Sequence, residues 1–272
     1  LPSGIGKSLL TILLIAAACY AILVAVMYTS QRSLLFPGAA LGKGAPPAAP
    51  AWGRSVLIDT PDGETLHALH SPAEDDRPTV LFFLGNADNV DHYRFLSDAL
   101  ARRGVGLLAL SYRGYGGSTG RPGEAGLLVD GLAAYDWLAA SGQVRVVLLG
   151  QSLGSAVAVH VAAERPARGV ILVSAFDSAL ALARSFYPFL PVGPLIRDPF
   201  RSDLRIAKAV QPKLFIHGDR DGVIPVRFGE ALFERAPEPK TFRLYAGYGH
   251  NDLWSSALVE DILAFADQTA GD

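Results

Sequence analysis

Hydrophobic and polar positions divide this chain into one unbroken apolar segment and a longer stretch of alternating elements. Residues 9–28, LLTILLIAAACYAILVAVMY, carry no charge. A helix of that length is about 30 Å long, the thickness of a bilayer's hydrocarbon core. Lys7 and Arg32 flank the run, and Tyr20 and Tyr28 suit a lipid–water interface. The pattern predicts an uncleaved, single-pass membrane anchor over residues 1–30. The flanking positive charges nearly balance, so they assign no orientation. Two rival readings are weaker. Cleavage at the signal-peptidase-like AAAC, residues 16–19, would leave CYAILVAVMY as a greasy N-terminus. A buried core helix of this length, ahead of a complete domain, has little to pack against.

Polarity returns at residues 31–37, QRSLLFP, where Leu34, Leu35 and Phe36 are expected to rest on the domain or on lipid. Residues 38–50 are Ala, Gly, Pro and Leu with a single charge, Lys43, a composition that suits a linker rather than a core. Residues 31–51 therefore read as a juxtamembrane segment and linker, and 52–272 as the folded domain. Within it, residues 55–59 and 65–71 flank Pro61-Asp62-Gly63, a hairpin signal. Strands expected at 79–84, 105–110, 144–149, 169–174, 213–217 and 242–245, each largely apolar, then alternate with helical patterns. Strands without polar alternation imply a sheet covered on both faces, and intervening helices imply parallel crossovers. The expected class is α/β, with a mostly parallel central sheet and helices on both faces. Such sheets bind ligands at the carboxyl ends of their strands.

Composition narrows the partners. With 272 residues, 50% of them hydrophobic, the chain can bury the core of one large domain. A net charge of -2 and the absence of a long basic run argue against nucleic acid. The single cysteine, Cys19, excludes an intrachain disulfide or a cysteine-built zinc site, and no histidine trio has metal-ligand spacing. No cofactor or metal is expected.

The candidate chemistry lies just after the apolar runs. Residues 146–149 lead into Gly150-Gln151-Ser152-Leu153-Gly154 and then a small-residue helical pattern. A strand, a sharp turn and a helix would present the Ser152 hydroxyl at the apex and leave the Leu153 N–H free at a helix N-terminus. After the 79–84 run comes Gly85-Asn86, whose backbone N–H could supply a second donor to an oxyanion. After the 213–217 run, His217-Gly218-Asp219-Arg220-Asp221 offers two acids, with Asp221 the candidate to orient a histidine and Asp219 its rival. After the last run, His250 follows Gly249 on a loop, placed to act as base and then acid. His217, ending a strand, reads as structural.

These residues carry a resemblance. The order Ser152, Asp221, His250 is that of the α/β-hydrolases. LGNADNVDHYR at Leu84, SYRGYGGSTGRPGEAGLLVDGLAAYDWL at Ser111, GQSLGSAVA at Gly150, SAFDS at Ser174, RDPFRSDLRI, HGDRDGVIP and GYGHND extend the match from about Gln31 to the C-terminus. The chain resembles the membrane-anchored α/β-hydrolases of the Bem46 and ABHD13/ABHD17-like group, related to serine aminopeptidase-type hydrolases. The resemblance implies Ser152 as nucleophile, His250 as base, Asp221 as acid, and Asn86 and Leu153 as oxyanion donors. It also implies metal-free hydrolysis of esters or thioesters. Two positions depart from the pattern: Leu84 stands where the group usually has His, and Ser111 where it has Asp or Asn. Tyr112-Arg113-Gly114-Tyr115 is expected to shape the floor of the site.

The expected protein is a membrane-anchored serine hydrolase acting on a small-molecule or lipid-like ester or thioester. A peptidase of the same fold and an inactive tethered scaffold are the alternatives. A small helical flap over an apolar groove is expected at about 177–211, where Leu180, Leu182, Phe186, Tyr187, Phe189, Leu190, Val192 and Leu195 cluster.

Overall fold

A computed structural model describes residues 3–41 and 53–270. The N-terminal helix α1 spans Ser3–Leu35, well past the end of the apolar run. Nothing in TSQRSLL breaks a helix until Pro37, whose ring disfavours helical backbone in the residue before it. Gly6–Leu35 is long and apolar enough to cross a membrane. A single turn, α2 at Gly38–Leu41, follows. The linker expected at 38–50 lies largely outside the described residues.

The hairpin β1 (Arg54–Asp59) and β2 (Thr65–Ser71) opens the sheet. It is followed by β3 (Thr79–Phe83), α3 (Arg94–Ala101), β4 (Gly106–Leu110), α4 (Glu124–Ala140), β5 (Val146–Gln151) and α5 (Leu153–Glu164). Then come β6 (Gly169–Val173), α6 (Ala179–Phe186), α7 (Val192–Leu195), β7 (Lys213–Gly218), α8 (Val226–Arg235), β8 (Lys240–Tyr245) and α9 (Ser256–Ala270). The 8-stranded sheet has the order β1-β2-β4-β3-β5-β6-β7-β8. Strands β1 and β2 are antiparallel to their neighbours, and the rest are parallel.

Period-two alternation explains the two cores. In β3, Leu81 and Phe83 face the side covered by α4, α5 and α8, while Val80 and Phe82 face α3 and α9. Both faces are apolar because both are covered, which is why these strands showed no polar alternation. The register pairs Phe83 with Gly150 and Gln151 with Val173, so the loops after β3, β5 and β6 open along one edge.

The juxtamembrane segment is more than a spacer. Phe36 is buried in the first core and meets the Phe200 ring edge-on, with centroids 6.3 Å apart. The end of α1 therefore packs into the domain's first core. The segment 177–211, where a flap is expected, holds α6, α7 and two short 3-10 turns, Ser202–Leu204 and Ile206–Lys208. It is stitched to α1: Tyr20 donates to Phe189 O at 2.8 Å, Gln31 donates to Leu195 O at 3.2 Å, and Arg32 pairs with Asp198 at 2.8 Å. Phe186 and Phe189, drawn from the cluster expected to face a groove, instead point outward at the flap's tip, 48% and 59% exposed.

Candidate active site

Ser152 occupies the turn between β5 and α5 with φ 51° and ψ -119°, a conformation that costs an ordinary side chain on the order of 1–3 kcal/mol. The neighbouring glycines make the turn possible. A Cβ on Gly154 would lie 2.0 Å from Phe83 O, and one on Gly150 would lie 2.5 Å from Gly154 O. The Ser152 N–H donates to Val173 O at 2.9 Å, which ties the strained residue to β6.

Loops from two further strands meet this hydroxyl. His250 Nε2 lies 3.1 Å from Ser152 Oγ, and His250 Nδ1 lies 2.7 Å from Asp221 Oδ2. A carboxylate can only accept, so Nδ1 carries the proton and Nε2 is left to accept from the serine. Asp221 is buried and fully engaged: Oδ1 accepts from Val223 N at 2.9 Å and Ile224 N at 2.7 Å. Burial works to raise its pKa, but the His217 and His250 hydrogen bonds and the Ile224 N–H hold it well below the usual carboxylate range. Asp219, the rival acid, accepts from Gly247 N at 2.7 Å and serves as a loop brace. His217 is structural: its Nε2 donates to Ile224 O at 2.8 Å and sits 3.5 Å from Asp221 Oδ2, steadying the acid from behind.

Of the two backbone N–H groups named from the sequence, Asn86 lies on the loop after β3 and Leu153 opens α5. Leu153 is the first residue of α5, so its N–H has no acceptor within the helix. Gly85, immediately before Asn86, approaches Ser152 so closely that a Cβ there would be 3.8 Å from Ser152 Cβ. Neither the Asn86 nor the Leu153 N–H has a backbone acceptor among the described residues.

What holds the Asn86 loop was not legible in the sequence. Asn86 O accepts from Tyr115 Oη at 2.9 Å and from Gly38 N at 3.1 Å, and Asn86 Nδ2 donates to Leu35 O at 3.0 Å. The end of α1 thus forms one wall of the loop. Tyr112 Oη donates to Leu84 O at 3.0 Å, so the Leu84 position contributes through its backbone, and its side chain simply joins the core. Burial pushes both phenols well up, keeping them neutral donors. Arg113, between them, is anchored by the buried Asp130 at 2.8 Å and by Asp62 at 2.7 Å. A further brace is Tyr93, whose hydroxyl lies 2.9 Å from Asp88 Oδ2 and 2.7 Å from Gln151 Oε1, linking the Asn86 loop to the residue before Ser152. Tyr93 and Gln151 both fall within the motifs LGNADNVDHYR and GQSLGSAVA, but nothing local in either motif assigns them this contact. Ser111 lines a cavity of about 180 Å³ beside this loop, with Asp88 and His92. Among the described residues no three His, Cys, Asp or Glu side chains converge as a metal would require.

The chain is similar to several known proteins. The family model described as serine aminopeptidase, S33, matches residues 74–190. The uncharacterized protein Rv2307c of Mycobacterium tuberculosis is 35% identical over 97% of this chain and 96% of its own length. Protein bem46 of Schizosaccharomyces pombe is 30% identical over 83% of this chain and 82% of its own. The lysophosphatidylserine lipase ABHD12 of Xenopus tropicalis is 28% identical over 77% of this chain and 62% of its own. Among solved structures, the Pyrococcus furiosus esterase PF2001 superimposes with a TM-score of 0.66 at 20% identity, covering 80% of this chain and 91% of that one.

Proposed function

Because the chain belongs to the Bem46/ABHD-type α/β-hydrolases, we propose that it is a membrane-anchored serine hydrolase that cleaves carboxylic ester or thioester bonds of lipid-like substrates through an acyl-enzyme. The observation that carries this reading is the continuous hydrogen-bonded line from Ser152 Oγ through His250 to Asp221. As Ser152 Oγ attacks the substrate carbonyl, His250 Nε2 takes its proton. Asp221 holds the Nδ1–H and stabilises the imidazolium that forms. The carbonyl oxygen, now negative, is held by the Leu153 and Asn86 N–H groups, the first reinforced by the α5 N-terminus. His250 then returns the proton to the departing alcohol or thiol. Water, deprotonated by the same nitrogen, attacks the acyl carbon; the bond to Ser152 Oγ then breaks, His250 returns the proton to that oxygen, and the acid is released.

A lipid-like substrate is supported by the lysophosphatidylserine lipase among the relatives and by the apolar helix packed against the domain. That helix serves as the membrane anchor in this reading, which places the site close to the bilayer surface. The test is labelling of the full chain with a serine-directed fluorophosphonate. The parent should label and Ser152→Ala should not, with turnover of an aryl ester lowered by several orders of magnitude and the melting temperature retained. Equal labelling of both proteins would end the proposal.

A further inference from the structure

Between α1 and the flap lies a groove of about 240 Å³, walled by Met27, Leu34 and Leu35 on one side and by Ala183, Leu190 and Leu195 on the other. Its polar lining is confined to Tyr28, Gln31, Asp198 and the Tyr187 hydroxyl. Gln31 and Asp198 are already engaged, by Leu195 O and by Arg32. Such a surface offers a ligand dispersion and water exclusion rather than hydrogen bonds.

Both ends of the groove are informative. At the inner end, Leu35 lines the cavity while its carbonyl accepts from Asn86 Nδ2, one residue beyond the glycine that abuts Ser152. At the outer end, Tyr20 donates to Phe189 O, so the flap's tip reaches back along the uncharged run of α1. From Tyr28 to Tyr20 the helix rises about 12 Å. Phe186 and Phe189 are exposed at that tip, and helix positions such as Ile22, 64% exposed, are apolar too. A helix able to cross a bilayer therefore shares one wall with the groove and leaves apolar side chains exposed on its other face.

We propose that this groove is an acyl-chain site: it receives the fatty-acyl tail of a lipid ester from the bilayer and leads its carbonyl to Ser152. The inference rests on the hydrolase reading above and specifies its substrate. From Val24 to Leu35 the helix rises about 16 Å, room for a chain of about twelve carbons at about 1.3 Å projected length per bond. Each methylene buried in an apolar site favours binding by about fourfold, so preference should climb steeply to that length and then level off.

The experiment uses the full chain in detergent-free phospholipid nanodiscs. The kcat/KM for 4-nitrophenyl esters from butyrate to palmitate should rise to a maximum near laurate. Ala183→Trp, which fills the groove, should lower the laurate-to-butyrate ratio at least tenfold, and Leu190→Ala should move the maximum to longer chains. Leu14→Trp, on the exposed part of the same helix, should leave the ratio as in the parent. A maximum at butyrate, or a laurate preference untouched by both groove variants, overturns the site. In parallel, Ser152→Ala protein is photolabelled with a diazirine analogue of lauric acid, which needs no turnover. Labelling concentrated on Met27, Leu35 and Ala183 supports the groove, whereas equal labelling of Leu13 and Leu14 shows only bilayer exposure and overturns it. Groove labelling without ester turnover or fluorophosphonate reaction would leave the site standing and remove the hydrolase reading.

Discussion

Replacing Asp221 by Asn changes one atom's chemistry and should nearly abolish turnover. The carboxylate accepts from four directions: Val223 N, Ile224 N, His250 Nδ1 and, more distantly, His217 Nε2. An amide has one acceptor oxygen and one donor nitrogen. If its oxygen keeps the two backbone N–H groups, its NH₂ faces His250 and forces the ring proton onto Nε2. That nitrogen, 3.1 Å from Ser152 Oγ, can then no longer take the serine proton. If the amide turns the other way, two buried N–H groups lose their acceptor, at about 1–3 kcal/mol each. The first orientation costs less to the fold and more to the chemistry. The same substitution in a serine protease, a worked example of this triad, lowers kcat about 10⁴-fold, or about 5.4 kcal/mol of barrier at 1.36 kcal/mol per decade. Steady-state hydrolysis of an aryl laurate, with thermal melts alongside, measures both effects. Turnover of Asp221→Asn within tenfold of the parent refutes the reasoning, as does an inactive Asp219→Asn beside a normal Asp221→Asn.

Two further predictions concern the frame. A Cβ on Gly38 would lie 2.3 Å from the Tyr115 ring and 2.9 Å from Asn86 O, so Gly38→Ala should shift the Asn86 loop and lower kcat roughly 10–100-fold with KM little changed; kinetics within twofold of the parent would refute this. Buried His70, with Arg54 beside its ring, has a pKa lowered to about 4 by burial and then by that charge. The unfolded chain therefore binds a proton that the folded one refuses: the stabilisation is complete above about pH 6.5 and is lost as pH falls toward 4, about 3 kcal/mol in all. Between pH 7 and 4.5 the melting temperature of the parent should fall more steeply than that of His70→Leu, and parallel curves would contradict the assignment.

The division between what sequence and structure each decide follows from distance along the chain. The strand–serine–helix turn was legible because its causes are local: an apolar run, two glycines and a small-residue helix lie within a few residues. The sheet was legible because burial on both faces removes polar alternation from each strand separately, and strand ends in such a sheet are where ligands gather. Asp221 and Asp219 could be ranked but not separated, since two residues of one turn differ only in which way the folded loop aims them. One meets His250 and the other braces Gly247. Leu35 and Gly38 went unnoticed as parts of the site, and so did Tyr93 and Gln151. Asn86 meets Leu35 across 51 residues of sequence, and Gln151 meets Tyr93 across 58. Residues 34–36 read equally well as resting on lipid or on the domain, and composition cannot choose between two apolar surroundings. Only the docking of α1 against the flap and the Asn86 loop decided it, because a hydrogen bond between distant segments leaves no periodicity in either one.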